Sequence, residues 1–212
     1  MHNSSRFGKI LFFSLIFILL TIAMTMTENT KRTPEHHLEN GTFVNTNGTA
    51  NNKKLKELWK WMTGKKETKA IPIDFEMVDP DLKLINQDKS FSITWIGHAS
   101  FLYQNKELNI LTDPHLTNRA SPINFAGPQR YTKPAMKFEE LPKIDFITIS
   151  HNHYDHLDLK TVKWIAKNNP DAMFLVPLGL KKWFLDKSIN NVIELDWWES
   201  HIINDTKITF TP

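Results

Sequence analysis

The sequence predicts an α/β domain over residues 91–212. Three short apolar runs separated by turn residues come first, which is typical of a meander of antiparallel strands. Apolar, β-branched runs then alternate with helical patterns, which indicates strands joined by helical crossovers. At 212 residues, the chain is long enough for one such domain with its own core.

The elements follow from periodicity and from turn residues. Before the domain, segment 55–90 begins with apolar residues at helical spacing, which predicts a short amphipathic helix and a lead-in segment. We expect strands at 91–96, 100–104, 108–113, 144–149, 173–176, 192–195 and 208–211. We expect helices from Asp158, as the N-cap, to 169, and near 180–186.

The amino-terminal part of the chain has a different character. Residues 10–26 are uncharged and almost wholly apolar, and as a helix they would span roughly 25 Å, slightly less than a bilayer core of about 30 Å. Residues 1–27 are therefore expected to be a signal anchor or a signal peptide. Basic residues precede this run, which favours a domain outside the cytoplasm. Residues 28–54 are polar and predict a disordered linker.

Composition excludes several classes of function. The net charge is +3 without a basic stripe, so we expect no nucleic-acid partner. With no cysteine, disulfides and thiolate metal sites are excluded. Three of the nine histidines, His36, His37 and His201, are assigned to solvated linker or turn segments.

The stretch SHNHYDHLD, residues 150–158, concentrates histidine and aspartate directly after a predicted buried strand. The carboxyl ends of strands are where open α/β sheets bind ligands. Imidazole and carboxylate are zinc ligands, and the pattern H-x-H-x-D-H lets His151 and His153 face one ion while Asp155 and His156 face a second. Two adjacent ions can hold a shared hydroxide and stabilise a leaving oxygen. This loop therefore predicts a two-metal hydrolytic site that needs further ligands from elsewhere.

Other residues are weaker candidates for this site. His98 and His115 each follow a predicted strand and are secondary candidates as metal ligands. Asp113 is expected to accept hydrogen bonds from loop backbone at the end of a strand. Arg119 and Arg130 are candidates for bidentate contact with a lipid phosphate, although ordinary surface pairing explains them equally well.

The order of elements, with the H-x-H-x-D-H loop after a buried strand, resembles the first half of the metallo-β-lactamase fold, an αββα sandwich. The region from about residue 91 resembles N-acyl-phosphatidylethanolamine-hydrolysing phospholipases D more specifically. The matching segments are TWIGHASFL (94–102), LTDPHLTNRASP (111–122), GPQRY (127–131), ELPKIDFITISHNHYDHLD (140–158), VPLGL (176–180) and NVIELDWWE (191–199).

This resemblance implies two zinc ions and hydrolysis of a membrane phospholipid to an N-acylethanolamine and phosphatidic acid. It places His151 and His153 on one zinc, and Asp155 and His156 on the other, with Asp155 also orienting the nucleophilic water. Members of the family take further ligands from segments after a phrase like FTP, where this sequence ends, so we expect an incomplete sandwich and an inactive chain. The alternatives are another hydrolase of this fold, such as a lactonase, or a non-catalytic membrane-anchored fragment.

Overall fold

A computed structural model describes residues 34–49, 56, 57, 60, 76–87, 91–123 and 125–212. The chain divides into two compact units, residues 1–64 and 65–212. In the first unit, residues 34–49 form turns and an isolated antiparallel bridge between His37 and Phe43, and residues 56, 57 and 60 are helical. The predicted apolar segment 10–26 and most of the predicted amphipathic helix lie outside the described residues. No helix within the described ranges has the length and apolar character needed to cross a membrane.

The second unit contains a sheet, three α-helices and a hairpin in its described part. Its elements are α1 (Leu82–Gln87), β1 (Ser92–Gly97), β2 (Ser100–Gln104), β3 (Asn109–Thr112), β4 (Phe146–Thr148), α2 (Leu159–Asn168), β5 (Met173–Pro177), α3 (Lys181–Leu185), β6 (Val192–Leu195), β7 (Ser200–Ile203) and β8 (Thr206–Thr209). A single turn of 3₁₀-helix, Phe138–Glu140, precedes β4.

The six-stranded sheet has the order β1-β2-β3-β4-β5-β6. Strands β1, β2 and β3 form an antiparallel meander, and β3 to β6 are parallel neighbours. Helices α2 and α3 form the crossovers of the last two parallel pairs, as parallel connections require. The carboxyl ends of β3 and β4 therefore meet at one edge of the sheet.

Alternate residues of the strands pack on opposite faces of this sheet. Ile147 belongs to the core under the helices, together with Val162 and Ile165 of α2. Its neighbour Phe146 belongs to a second core, which packs against Ile208 of the hairpin β7–β8. Because both faces are covered, the central strands consist of nearly continuous apolar runs. A helical layer and a β-hairpin on opposite faces of the sheet confirm the predicted α/β fold class.

Most predicted elements lie within two residues of the observed ones. Asp158 caps α2 as predicted, since its carboxylate accepts a hydrogen bond from Lys160 N. Strand β7 was missed, and the placement of His201 in a solvated turn was wrong. His201 lies in β7, half-buried, with its ring centroid 6.2 Å from that of Phe146. A short strand with mixed polar and apolar residues carries little periodicity.

Candidate metal centre

The histidine-rich loop lies between β4 and α2, at the carboxyl edge of the parallel strands. Ile149 N continues the ladder by donating to Leu175 O over 3.0 Å, and the chain leaves the sheet after this residue. A turn follows, in which His156 N and Leu157 N both donate to His153 O. Leu157 is buried and packs in the helix-side core. The loop is therefore fixed at both ends, with its polar side chains directed to the edge of the sheet.

The first predicted ligand pair converges on one point. His151 Nε2 lies 3.0 Å from His153 Nδ1, and the two ring centroids are 4.6 Å apart. This separation suits two nitrogen ligands of a single ion, each held at about 2.0–2.1 Å. His153 is exposed and His151 is half-buried, so the point is open to solvent on one side.

The second predicted pair faces the same edge. Asp155 Oδ2 lies 3.7 Å from His156 Nε2. The rings of His151 and His156 are adjacent, with centroids 4.0 Å apart, so the two pairs form one continuous cluster. The structure thus brings together all four residues that the sequence assigns to metal binding.

Asp113 supports this cluster from the end of β3. Its carboxylate accepts hydrogen bonds from Ser150 N and Ser150 Oγ, both at 2.7 Å, as expected for a residue that holds loop backbone. The same carboxylate also lies 2.9 Å from His156 Nδ1. A carboxylate only accepts, so in the neutral imidazole of His156 the proton is on Nδ1 and the lone pair is on Nε2.

Ser150 connects Asp113 to His151 by hydrogen bonds. Ser150 Oγ donates to Asp113 and can then accept a hydrogen bond from His151 Nδ1, which is 2.9 Å away. The lone pair of His151 is thereby left on Nε2, the nitrogen that faces His153. Asp113 therefore sets the tautomers of two predicted ligands. Such partners of the second ring nitrogen are the usual support of metal-binding histidines.

Electrostatics favour the charge states that bind a metal. Burial lowers the pKa of His151, and the neighbouring His156 and His153 lower it further, which keeps the imidazole neutral. Burial raises the pKa of Asp155, but its backbone hydrogen bond and the nearby His156 and His98 outweigh this effect, so the pKa is lowered overall. A neutral imidazole beside an ionised carboxylate is the donor set that zinc takes.

The two secondary candidates occupy different positions. His98 Nε2 lies 2.9 Å from Asp155 Oδ2, and His98, Asp155 and His156 each offer a ligand atom within 4.8 Å of the others. His115 is buried instead, and its Nε2 has no hydrogen-bond partner among the described residues. Burial and the charge of Arg130 lower the pKa of His115.

The two arginines predicted to contact substrate both donate to protein groups. Arg119 Nη1 donates to Gly127 O at 2.7 Å. Arg130 Nη1 donates to His115 O, and its Nε donates to Thr132 O at 3.1 Å. These contacts organise the loop after β3, and substrate contact by either arginine stays a prediction.

A cleft of about 620 Å³ opens beside the cluster. His98 and Asp155 line it on the side of the cluster, and Met77, Trp95 and Tyr131 contribute apolar surface. This volume lies in the range of small-molecule sites, which are mostly apolar with a few polar groups. No sequence pattern indicates the cleft, because its wall combines residues from five separate segments of the chain.

Comparisons with known proteins agree with this description. Residues 108–212 match the beta-lactamase superfamily domain. An N-acyl-phosphatidylethanolamine-hydrolysing phospholipase D of Caenorhabditis elegans is 39% identical over 158 residues, 69% of this chain and 44% of that protein. The mitochondrial enzyme of that name from Saccharomyces cerevisiae is 33% identical over 141 residues, 63% of this chain and 30% of that protein. A metal-dependent hydrolase of Aeropyrum pernix is 39% identical over 83 residues, 39% of this chain and 28% of that protein.

Fold and site define a domain of the metallo-β-lactamase type. Residues 108–212 match the beta-lactamase superfamily domain, and the resemblance to N-acyl-phosphatidylethanolamine-hydrolysing phospholipases D is confirmed. The chain spans less than half the length of each of these three relatives.

Proposed function

We propose that the cluster of His151, His153, Asp155 and His156 is the metal-binding loop of a zinc-dependent phosphodiesterase that acts on N-acyl-phosphatidylethanolamine. The observation that carries the proposal is the convergence of His151 Nε2 and His153 Nδ1 at 3.0 Å, beside a second pair with Asp155 Oδ2 and His156 Nε2 at 3.7 Å. Two pairs of donors at one sheet edge suit two adjacent ions. The likeness to two phospholipases D of this name supports the substrate class.

The chemistry divides between the ions and the protein. When bound, a pair of zinc ions would supply an activated water and neutralise charge on the phosphodiester. The protein's part is to hold the ligands in their binding tautomers, which Asp113 does for His156 directly and for His151 through Ser150. Asp155, which also lines the cleft, would orient the attacking water.

The adjoining cleft fits the lipid part of such a substrate. Its wall combines the apolar side chains of Met77, Trp95 and Tyr131 with polar groups on the side of the cluster. An acyl or glyceride chain could lie against the apolar wall while the phosphodiester faces Asp155. We further propose that the substrate is taken from a membrane surface, in keeping with the apolar run at residues 10–26.

Product analysis tests the reaction class. The protein, supplied with zinc, is incubated with N-acyl-phosphatidylethanolamine in mixed micelles, and the products are identified by mass spectrometry. In a protein that also carries the further metal ligands expected from the family resemblance, the proposal expects N-acylethanolamine and phosphatidic acid in equal amounts, lost in His151→Ala and kept in His201→Ala. The 212-residue chain alone is expected to be inactive and should give neither product. Release of free fatty acid instead would indicate hydrolysis of an acyl bond, and metal binding without either product in the protein with the full ligand set would refute the phosphodiesterase.

Sedimentation tests the membrane proposal separately. The full chain should sediment with membranes, and removal of residues 1–27 should release it. A full-length product that stays soluble without detergent and retains its first residues by mass spectrometry would contradict attachment through this segment.

A further inference from the structure

His98 occupies the turn between β1 and β2 in an uncommon backbone conformation. Its φ is +51°, in the left-handed region that residues other than glycine rarely adopt, at a cost of about 1–3 kcal/mol. The indole of Trp95 holds this conformation, because its Nε1 donates to His98 O at 2.9 Å. The turn therefore presents the imidazole of His98 at the edge of the sheet, beside the loop after β4.

The contact made there is specific. His98 Nε2 lies 2.9 Å from Asp155 Oδ2, the same oxygen that lies 3.7 Å from His156 Nε2. The two partners are 57 residues apart in the sequence, and both line the cleft. The rings of His98 and His156 also meet edge to face, with centroids 5.3 Å apart. The imidazole of His98 thus limits the orientations open to the carboxylate of Asp155.

At this distance, His98 can be either a ligand of the metal ion or the partner that orients the carboxylate of Asp155. The hydrogen-bond partner of its second ring nitrogen distinguishes these two roles. A metal-binding histidine almost always bonds its other nitrogen to a fixed partner. His151 and His156 meet this requirement, with Nδ1 beside Ser150 Oγ and Asp113 Oδ2. For His98, no group in the described part of the chain forms a hydrogen bond with Nδ1. The support expected of a ligand is therefore missing at His98, whereas its Nε2 already has a carboxylate to donate to.

We propose that His98 is a positioning residue, whose Nε2–H donates to Asp155 Oδ2 and holds the carboxylate facing the same ion as His156. The proposal deepens the proposed function and rests on it only for the presence of a metal ion, not for the substrate. Loss of a partner that orients a ligand typically weakens metal binding by about 10–100-fold.

Metal affinity, measured with zinc and with Co²⁺ alone, tests this role without any substrate. His98→Leu removes the donor, His98→Gln keeps an amide donor, and His201→Leu is the matched control on β7. We expect His98→Leu to weaken binding at least about tenfold, His98→Gln to recover most of the affinity, and His201→Leu to match the wild type. At saturation, the Co²⁺ absorption spectrum should be the same in the wild type and in both His98 variants, since no ligand is lost.

Several results would overturn the proposal. Unchanged affinity in His98→Leu would show that the contact orients nothing. A changed Co²⁺ spectrum, with His98→Gln as weak as His98→Leu, would show that His98 is itself a ligand. A histidine-selective ¹H–¹⁵N spectrum of the metal-free chain gives a further test, because His98 protonated only at Nδ1 could not donate to Asp155. Failure of phosphodiester hydrolysis, by contrast, would refute the proposed substrate and leave all these comparisons unaffected.

Discussion

Replacing Asp113 by asparagine changes the cluster without removing a predicted ligand. The aspartate is buried at the end of β3 and accepts three hydrogen bonds, from Ser150 N, Ser150 Oγ and His156 Nδ1. The asparagine oxygen can still accept from Ser150 N. Its amide nitrogen would then point towards His156 Nδ1 and can only donate. His156 would have to accept at Nδ1 and carry its proton on Nε2, the nitrogen needed for the metal.

The magnitude follows from these contacts. Two charge-assisted hydrogen bonds to Oδ2 are lost, from His156 Nδ1 at 2.9 Å and from Ser150 Oγ at 2.7 Å, and each contributes about 1.5–3 kcal/mol to folding stability. Metal affinity should fall by about 10–100-fold, equivalent to about 1.4–2.7 kcal/mol, because the ligand tautomer must be changed for each binding event. The tautomer of His151 also loses its support through Ser150, which should lower metal affinity further.

Asp145→Asn is the matched control. Asp145 also accepts a backbone hydrogen bond at a strand end, from Asn109 N at 2.9 Å, but it precedes β4 and does not contact the cluster. Zinc affinity is measured by competition with a chromophoric chelator, and stability by urea denaturation. We expect both variants to be less stable and only Asp113→Asn to bind zinc more weakly. Equal zinc affinity in Asp113→Asn and the wild type would refute the assignment of Asp113 as the residue that sets the tautomers.

Two further predictions concern the surroundings of the cluster. Burial lowers the pKa of His115, so below about pH 6.5 the unfolded chain binds a proton that the folded chain does not. The free energy of unfolding should therefore decrease as the pH is lowered, by up to about 1.4 kcal/mol per pH unit. This component should be absent when His115→Leu is measured by urea denaturation. A Cβ at Gly97, where φ is +133°, would lie 2.5 Å from Arg130 Nη2, whereas a Cβ at Gly179, where φ is +87°, would have no atom within 4 Å. Gly179→Ala should therefore lower the free energy of unfolding by about 1–3 kcal/mol through backbone strain, and Gly97→Ala should lower it further. An equal loss of stability in both variants would show that Arg130 is not held in place.

Local sequence patterns were sufficient to predict the histidine-rich loop and the strand and helix on either side of it. The apolar, β-branched run before Ser150 indicates a buried strand, and Asp158 at the start of a helical pattern indicates the cap of α2. Between these two signals, the H-x-H-x-D-H spacing is sufficient to predict four convergent side chains. Each of these inferences uses residues that are close together in the chain.

Contacts between distant segments could not be predicted in the same way. Asp113 was expected to hold loop backbone, but its bond to His156 depends on the parallel pairing of β3 with β4. The contact of His98 with Asp155 depends on a left-handed turn that no residue pattern in WIGHAS specifies. Strand β7 was missed because its four residues have little periodicity and are stabilised by pairing with β8.

The central claim is that the loop after β4 binds metal through its histidines. Equilibrium dialysis of the full chain against buffered free zinc, with the bound metal counted by mass spectrometry, tests this claim most directly. We predict saturable binding by the wild type, a loss of at least about tenfold in affinity in both His151→Ala and His153→Ala, and no change in His201→Ala. Equal binding in all four proteins, or no saturable binding in the wild type, would contradict the metal centre.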